Sequence, residues 1–301
     1  MIVFRKVDVA KALVVPIISL AVPFLVGGCR PAEPVKTEPD DQQPRVTVSF
    51  HDKCADILKT FVDAHGMVDY GRLRRNKYQL TTVLEEFRKL DRRRYRSWPK
   101  ADKIAFWINT YNLQKLNVVV DNYPITPSSR VLAVYWGPQN VRHIEGKISG
   151  HTFLVMDEQY TFAEVERRFF RDQFDDPRIS FALTSASLSS PPLRNEPYYG
   201  RRLGKQLDDQ VRRFLSNRLA FAIDREQRMV YLSAMFELSS WGGAFVEKFA
   251  TDKKFKGHPP VTRAALNFIT NYISQKDISF LEIGSYSVKY MKHDWTINDG
   301  S

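Results

Sequence analysis

The sequence predicts a single α+β domain with a central buried helix and a small sheet, preceded by a signal peptide and a proline-rich tether. Residues 100–122 are hydrophobic almost all round, as expected of a buried helix. Around them, helical patterns alternate with short strand-like runs. No internal repeat and no second low-complexity linker divides the chain, so its 301 residues, 43% of them apolar, favour one mixed domain over residues 46–301.

The first 28 residues have the composition of a signal peptide. Three cations precede an apolar run at 12–26, which is too short and too interrupted by proline to span a bilayer comfortably. The run ends in a Val-Gly-Gly-Cys sequence at Cys29, which resembles the lipobox of bacterial lipoproteins. The resemblance implies that residues 1–28 are removed and that Cys29 becomes the acylated first residue, with palmitate among its fatty acids. The alternative is an uncleaved N-terminal anchor, and both interpretations place the remaining chain outside the cytoplasm.

Residues 29–45 are expected to form the lipidated cysteine and a disordered linker. Four prolines and no aromatic residue give this segment too little apolar surface to fold. The partner expected through the anchor is a membrane. The outer membrane, facing the periplasm, is favoured because Arg30 is not the aspartate associated with inner-membrane retention. The signal peptide carries three cations and one anion, so its removal lowers the formal charge from +11 to +9 and leaves the basicity with the folded domain.

The densest charge lies in residues 71–100, which contain eleven Lys or Arg residues. A solvated helix face is favoured over a dedicated binding patch. Outside the cytoplasm, an anionic lipid or glycan is a more available partner, so no nucleic acid is expected. Nucleic-acid binding through residues 72–100 stays open as a third hypothesis, and it predicts an affinity that falls steeply with salt.

Three helices are predicted in the first part of the domain. Apolar residues recur at helical spacing between residues 51 and 66, with Cys54 on the buried face. A second amphipathic stretch covers 80–90, and the central helix covers 100–122. Cys54 is left without a disulfide partner if the other cysteine is acylated, so we interpret it as a packing residue.

Shorter elements are predicted in the rest of the chain. Residues 130–160 are expected to form short strands and turns. A capping-box pattern at Thr161 and Glu164 opens a helix through Phe170, and 178–184 is expected to be a buried strand. The remaining predictions are a polar loop at 185–199, a helix around 207–215, a hairpin at 221–233, a helical region around Trp241 and a last helix at 264–273.

Asn109 and Asn112 lie three residues apart on one face of the predicted central helix. Buried amides must be hydrogen-bonded, so these two either tie down a neighbouring loop backbone or contribute to a site. The first interpretation is favoured, because most buried side-chain amides are structural.

Residues that could act as nucleophiles are concentrated in the loop after the predicted strand, at Ser185, Ser187 and Ser190. A catalytic serine needs a base and oxyanion donors, and His143 or His151 could supply the base if the fold brings one of them there. The sequence contains no glycine-rich phosphate loop and no HExxH, CxxC or GxSxG motif, and its six histidines lack metal-ligand spacing. No metal and no cofactor is therefore expected.

Five sequence blocks occur in the order found in the domain of unknown function 547 (DUF547) family. They are AFWINTYN, TFAEVERRFFR, DPRISFALTSASLSSPPLR, LSAMF and HDWTIN. The resemblance runs from about His51 to Asn298, nearly the whole predicted domain. It implies little about activity, because the biochemistry of the family is essentially unassigned.

The chain departs from the family pattern at three positions. Relatives commonly have cysteines where this chain has Ser185 and Ser190, and a histidine where it has Arg167. The resemblance implies thiol chemistry in some relatives, and a hydroxyl is a far weaker nucleophile than a thiolate, so that chemistry is expected to be lost here. The retained residues, expected to be scaffold, are Asn109, Tyr111, Asn112, Glu166, Pro191, Pro192, Arg194, Asp294 and Trp295. Glu166 could form an ion pair with Arg194.

The sequence therefore favours a bacterial envelope lipoprotein whose domain is a non-catalytic binding or scaffolding module. The alternative is a serine-dependent hydrolase or transferase at the Ser185–Ser190 loop. Candidate catalytic residues are Ser185, Ser187, Ser190, Glu166, Asn109 and Asn112, candidate ligand-binding residues are Tyr111, Arg194, Asp294 and Trp295, and the candidate lipidation site is Cys29.

Overall fold

A computed structural model describes residues 49–127, 129–237, 242–251 and 253–301. The predicted signal peptide, the predicted tether and Trp241 lie outside the described residues. The helices are α1 (Ala55–Phe61), α2 (Tyr70–Arg75), α3 (Lys77–Arg88), α4 (Arg92–Ser97), α5 (Lys100–Asp121), α6 (Arg130–Trp136), α7 (Glu145–Ser149), α8 (Phe162–Val165), α9 (Leu203–Ser216), α10 (Gly242–Phe249), α11 (Pro260–Ile269) and α12 (Gln275–Ile283). The strands are β1 (Thr152–Val155), β2 (Glu158–Thr161), β3 (Phe221–Asp224), β4 (Met229–Ser233) and β5 (Ser287–Met291).

Short 3-10 turns and one π-helical segment join these elements. The 3-10 turns are Phe50–Cys54, Val141–Ile144, Pro177–Ala182, Gly200–Arg202 and Ala234–Phe236, and the π-helical segment is Glu166–Phe174. Mostly helical structure with two small sheets confirms the predicted α+β class.

Helix α5 is the centre of the larger hydrophobic core, as predicted. Every residue from Ile104 to Leu116 is buried. The Trp107 ring stacks on Phe169 with 3.7 Å between ring centroids and meets Tyr160 edge-on at 5.2 Å. Such complete burial requires packing on all sides of the helix, which explains why its sequence shows no polar face.

The two sheets are small and separate. Strands β1 and β2 form an antiparallel hairpin. The predicted hairpin at 221–233 is confirmed as β3 and β4, and β5, which we did not predict, adds to β4 in parallel. Val230 of β4 lies opposite Ile223 on one side and Val288 on the other, and this sheet packs in a second core with α9 and α11.

The prediction of strands and turns throughout 130–160 is wrong in its first half. Residues 130–136 form α6, whose start is capped by Ser129: the hydroxyl accepts a hydrogen bond from the Leu132 N–H. The helix ends at Gly137, whose φ of 78° favours glycine. The β-branched residues of this segment favour a strand locally, but its caps favour a helix. Only the hairpin of β1 and β2 agrees with the prediction.

The predicted buried strand at 178–184 is also wrong. Residues Pro177–Ala182 form a 3-10 turn that begins at Asp176, whose carboxylate accepts the Arg178 N–H. Proline at the first helical position favours a helical turn, and an apolar run this short does not distinguish strand from helix. The predicted last helix is α11, over Pro260–Ile269, and α12 follows it.

The capping box at Thr161 is confirmed. The Thr161 hydroxyl accepts the Glu164 N–H, and the Glu164 carboxylate accepts the Thr161 N–H. Helix α8 then continues directly into the π-helical segment Glu166–Phe174, which carries the chain four residues beyond the predicted end at Phe170.

Candidate functional site

The two amides of α5 hold both ends of the segment that carries the serines. Asn112 donates to the carbonyl of Ala182 at 2.8 Å and accepts the Thr184 N–H at 3.0 Å. Asn109 donates to the Tyr198 carbonyl and accepts the Tyr198 N–H, both at 2.9 Å. Of the two interpretations of these amides, the structure therefore shows the tie to a loop backbone. Neither amide lines a cavity next to the serines.

Residues 293–301, which we call the C-terminal segment, lie along residues 185–199, which we call the serine loop. Ser187 and Ile297 form an antiparallel bridge, and the Leu188 N–H donates to the Thr296 carbonyl at 2.8 Å. The Asp294 N–H donates to the Ser189 hydroxyl at 3.0 Å, while the Asp294 carboxylate accepts the Thr296 N–H. Asp294 is therefore part of a backbone turn, and this turn brings the preceding residue, His293, to the loop.

A chain of hydrogen bonds joins Ser185, Ser187 and His293. The Ser185 and Ser187 hydroxyl oxygens are 2.9 Å apart, and the Ser187 oxygen is 2.8 Å from Nε2 of His293. Burial lowers the pKa of His293 to about 4, so the imidazole is neutral at pH 7 and can accept a proton. The Trp295 ring lies against it, with 4.1 Å between ring centroids.

His143 and His151, the two bases considered from the sequence, do not reach these serines. Nε2 of His143 is 2.9 Å from the Gly137 carbonyl, and Nε2 of His151 is 3.4 Å from the Gln114 side chain. Sequence reasoning missed His293. Its position inside the HDWTIN block was the available indication, but it lies 106 residues from Ser187.

Ser190 has a structural role. Its hydroxyl accepts the Ser185 N–H at 2.9 Å and donates to the Pro191 carbonyl at 3.0 Å, and the residue is 4% exposed. Ser187 and Ser190 line a cavity of about 410 Å³ together with Gly66.

Ser185 lines a different cavity, of about 310 Å³, which we call the Lys115 cavity. Its walls include Tyr111, Lys115, Arg142, Phe162, Glu166, Ser185 and Trp295. The fold thus brings together four of the candidate residues, from α5, the π-helical segment, the serine loop and the C-terminal segment. Arg194 and Asp294 are not among the residues that line it.

Lys115 gives this cavity its chemical character, and sequence reasoning missed it. The residue is 5% exposed, and its ammonium lies 4.0 Å from the centroid of Phe162 and 5.3 Å from that of Tyr111. Burial lowers the pKa of Lys115 to about 8, against the opposing effect of Glu166. Within the described residues, no carboxylate comes within ion-pairing distance of the ammonium and no acceptor is hydrogen-bonded to it.

Glu166 is held by a tyrosine and does not pair with Arg194. The Tyr111 hydroxyl donates to the Glu166 carboxylate at 2.7 Å. Arg194 instead donates to Glu196 at 2.7 Å and to Asp209 at 2.5 Å. The possible Glu166–Arg194 ion pair is therefore not formed, and Arg194, 8% exposed, ties the loop to α9.

Several other sequence features have structural partners. Cys54 is fully buried, and burial raises the pKa of its thiol, so it remains a neutral packing residue. In the basic segment 71–100, four residues form ion pairs with carboxylates; they are Lys77, Arg88, Lys89 and Arg92. These pairs agree with a solvated, charge-paired helix surface.

The described residues contain no group of three or more His, Cys, Asp or Glu side chains placed to hold a metal ion. None of their helices combines the length and the apolar character needed to cross a bilayer.

Comparison with known proteins gives one match. Residues 95–215 match the family model described as "Protein of unknown function, DUF547". No curated protein and no solved structure matches the chain. The matched segment is shorter than the resemblance from His51 to Asn298, but it contains α5 and the serine loop. Residues 95–215 of the chain are therefore similar to the DUF547 family.

Proposed function

We propose that the protein is an envelope lipoprotein whose folded domain binds a small anionic, partly apolar ligand in the Lys115 cavity. The observation that carries this proposal is the buried ammonium of Lys115. A buried charge is costly unless it is paired, and no described residue pairs with this one. An anionic group of a ligand would supply the missing partner.

The walls of the cavity support a ligand with an apolar part. Phe162 and Trp295 offer aromatic surface, and Val141 and Ile148 offer aliphatic surface. Arg142 adds a second cation: its guanidinium lies 5.2 Å from the Trp295 ring centroid. A volume of about 310 Å³ is at the lower end of the range for small-molecule sites, so a medium-chain carboxylate fits better than a polymer.

Binding can be tested by calorimetric titration with octanoate, octanol and octylammonium. We expect octanoate to bind and the other two to bind at least tenfold more weakly, because only octanoate can pair with Lys115. Lys115→Met should abolish the preference for octanoate. Lys147→Met is the matched control, since Lys147 is exposed on neighbouring α7. Equal affinity for all three ligands in the wild-type protein would contradict the proposal.

The anchor is supported by the sequence around Cys29 and by the basic charge of the mature chain. Placed on the periplasmic face of the outer membrane, the domain would act at an anionic surface, and lipid or glycan would be its nearest polyanions. Cys29→Ser should move the protein out of detergent-extracted membranes. An unchanged membrane fraction would contradict acylation at Cys29.

A further inference from the structure

The hydrogen-bonded chain of Ser185, Ser187 and His293 connects the Lys115 cavity to a buried base. Ser185 is part of the cavity wall, whereas Ser187 is 2% exposed and lines the other cavity, that of Gly66 and Ser190. His293 is the far end of the chain, 2.8 Å from the Ser187 oxygen. A reactive hydroxyl at a cavity wall, linked to a neutral imidazole, is the arrangement that nucleophilic catalysis requires.

We propose that Ser185 is a nucleophile activated through Ser187 by His293, and that it is acylated by an ester or thioester whose anionic group lies near Lys115. The inference rests on the proposed function in one respect only, namely that the substrate carries an anionic group. The hydrogen-bonded chain that carries it is a separate observation.

The proton transfers balance. Ser185 Oγ forms a bond to the carbonyl carbon and passes its proton to Ser187 Oγ, while Ser187 passes its own proton to Nε2 of His293. Collapse of the tetrahedral intermediate breaks the bond to the leaving alcohol or thiol, which takes a proton from Ser187 Oγ while His293 returns its proton to Ser187. Water then attacks the acyl-serine and passes a proton through Ser187 to His293. Collapse of this second intermediate releases the carboxylic acid and returns the proton through Ser187 to Ser185 Oγ.

The backbone holds the two serines in this relation. Ala186, between them, has a φ of 61°, a left-handed conformation that is uncommon for a residue with a side chain. Its N–H donates to the Thr184 hydroxyl, and its carbonyl accepts the Asn298 N–H. The strained conformation is thus fixed from both sides, and it leaves the two hydroxyls 2.9 Å apart.

Charge on the carbonyl oxygen of the intermediate must be stabilised by side chains. The N–H groups of Ser185 and Ala186 already donate, to Ser190 and Thr184. Lys115 is assigned to the anionic group of the substrate, so Arg142, the other cation on the cavity wall, is the donor that we assign to the oxyanion.

A fluorophosphonate probe tests the inference, because it labels activated serines and does not need an anionic substrate. With the purified full chain, we expect one added probe, located at Ser185 by peptide mass. Ser185→Ala should remove the label. Ser279→Ala is the control, since Ser279 is an exposed serine of α12 that does not line the Lys115 cavity and lies outside the hydrogen-bonded chain. Labelling that survives Ser185→Ala, or no labelling of the folded wild-type protein, would overturn the proposal.

The role of His293 needs a measurement that a structural role would not change. We expect His293→Gln to slow labelling at least a hundredfold. In the wild-type protein the labelling rate should fall at low pH, as His293 becomes protonated. Two charged groups act on the pKa of His293 beside burial: Asp294 raises it and Arg142 lowers it. The residual rate of the variant should not depend on pH in that range. A variant that is folded, by its thermal unfolding curve, and labelled at the wild-type rate would overturn the role of His293.

The outcomes for binding and for acylation are separable. A protein that binds octanoate but resists the probe retains the proposed function and loses this inference. A protein that is labelled at Ser185 but shows no preference for octanoate supports the nucleophile and loses the anionic ligand.

Discussion

Asn112 bonds the backbone on both sides of Leu183, and its side-chain oxygen accepts the Thr184 N–H at 3.0 Å across 72 residues of sequence. Both groups are buried, so water cannot replace either bond. The start of the serine loop is therefore positioned by a residue of the central helix. Since Asn109 does the same at Tyr198, the loop is attached to α5 at two points.

Asn112→Ala should destabilise the domain by about 2–4 kcal/mol, because it leaves a buried N–H and a buried carbonyl without partners. Urea unfolding followed by circular dichroism measures this. Asn76→Ala, which removes one bond from a partly exposed side chain, should cost about 1 kcal/mol or less. Equal losses for the two variants would show that the Asn112 bonds are not important for stability.

Lys115→Met should raise the free energy of unfolding at pH 7 by about 1–3 kcal/mol. Methionine has a similar length and removes the cost of a buried, unpaired charge, although the contact with Phe162 is partly lost. The same variant should lose the preference for octanoate, so stability and binding change in opposite directions. A fall in stability would show that the ammonium has a stabilising partner.

Octanoate affinity should decrease at high pH. Lys115, with its pKa of about 8, is charged below that pH and loses its proton above it, so the affinity at pH 9 should be about tenfold below its neutral value. The other charged groups on the cavity wall are Arg142, Glu145 and Glu166. Burial raises the pKa of Tyr111, so that phenol stays neutral throughout. Titrations at pH 7, 8 and 9 test this, and Lys115→Met should show no such decrease.

Gly66→Ala should destabilise the domain by several kcal/mol. Its φ is 85°, and an added Cβ would lie 2.7 Å from Cβ of Pro192 and 2.8 Å from the Leu193 nitrogen. At Gly66, the turn after α1 packs directly against Pro192 and Leu193 of the serine loop. Gly204→Ala is the control, because Gly204 is in α9 with open space around it and should gain up to about 1 kcal/mol. Thermal unfolding of both variants distinguishes the two expected signs.

Acid should destabilise the protein through His293. Its folded-state pKa of about 4 lies below the ordinary value of 6.5, so the unfolded chain binds more protons between these values. The contribution of His293 to the free energy of unfolding is therefore fully present above pH 6.5, and it is lost as the pH decreases towards 4. His51, His151 and His258, whose pKa values burial also lowers, act in the same direction.

Urea unfolding at pH 7, 6 and 5 measures this dependence. Over this pH range, His293→Gln should give a smaller decrease in the free energy of unfolding than the wild-type protein. An identical decrease for wild type and His293→Gln would mean that other groups account for the acid sensitivity.

Elements with strong local patterns were predictable from the sequence. Helix α5 has a long, almost continuous apolar run, and the strands of the hairpin β3–β4 alternate apolar and polar residues. Both elements form where expected. The prediction for 130–136 is wrong because its β-branched residues favour a strand, whereas Ser129 caps the start of a helix and Gly137 its end. Local preference is decisive only where no stronger capping interaction opposes it.

The candidate site was predictable only in part. The serine loop stood out because its polar residues follow a buried run, and Tyr111, Glu166 and Trp295 were among the candidates. Lys115 did not stand out, since a lysine in a helix is usually exposed and only tertiary packing buries this one. His293 was missed for the same reason: its contact with Ser187 depends on how the C-terminal segment folds back.

The bridge between Ser187 and Ile297 also determines when the site can form. A protein is synthesised from its N-terminus, so the segment around Ile297 leaves the ribosome after both α5 and the serine loop with which it pairs. Closing contacts over such long separations is entropically costly and comes late in folding. The cavity therefore cannot be complete in a nascent or C-terminally truncated chain, even when α5 and its core have formed. Loss of residues 292–301 would remove Trp295 from the cavity wall together with the bridge at Ile297, and the site with them.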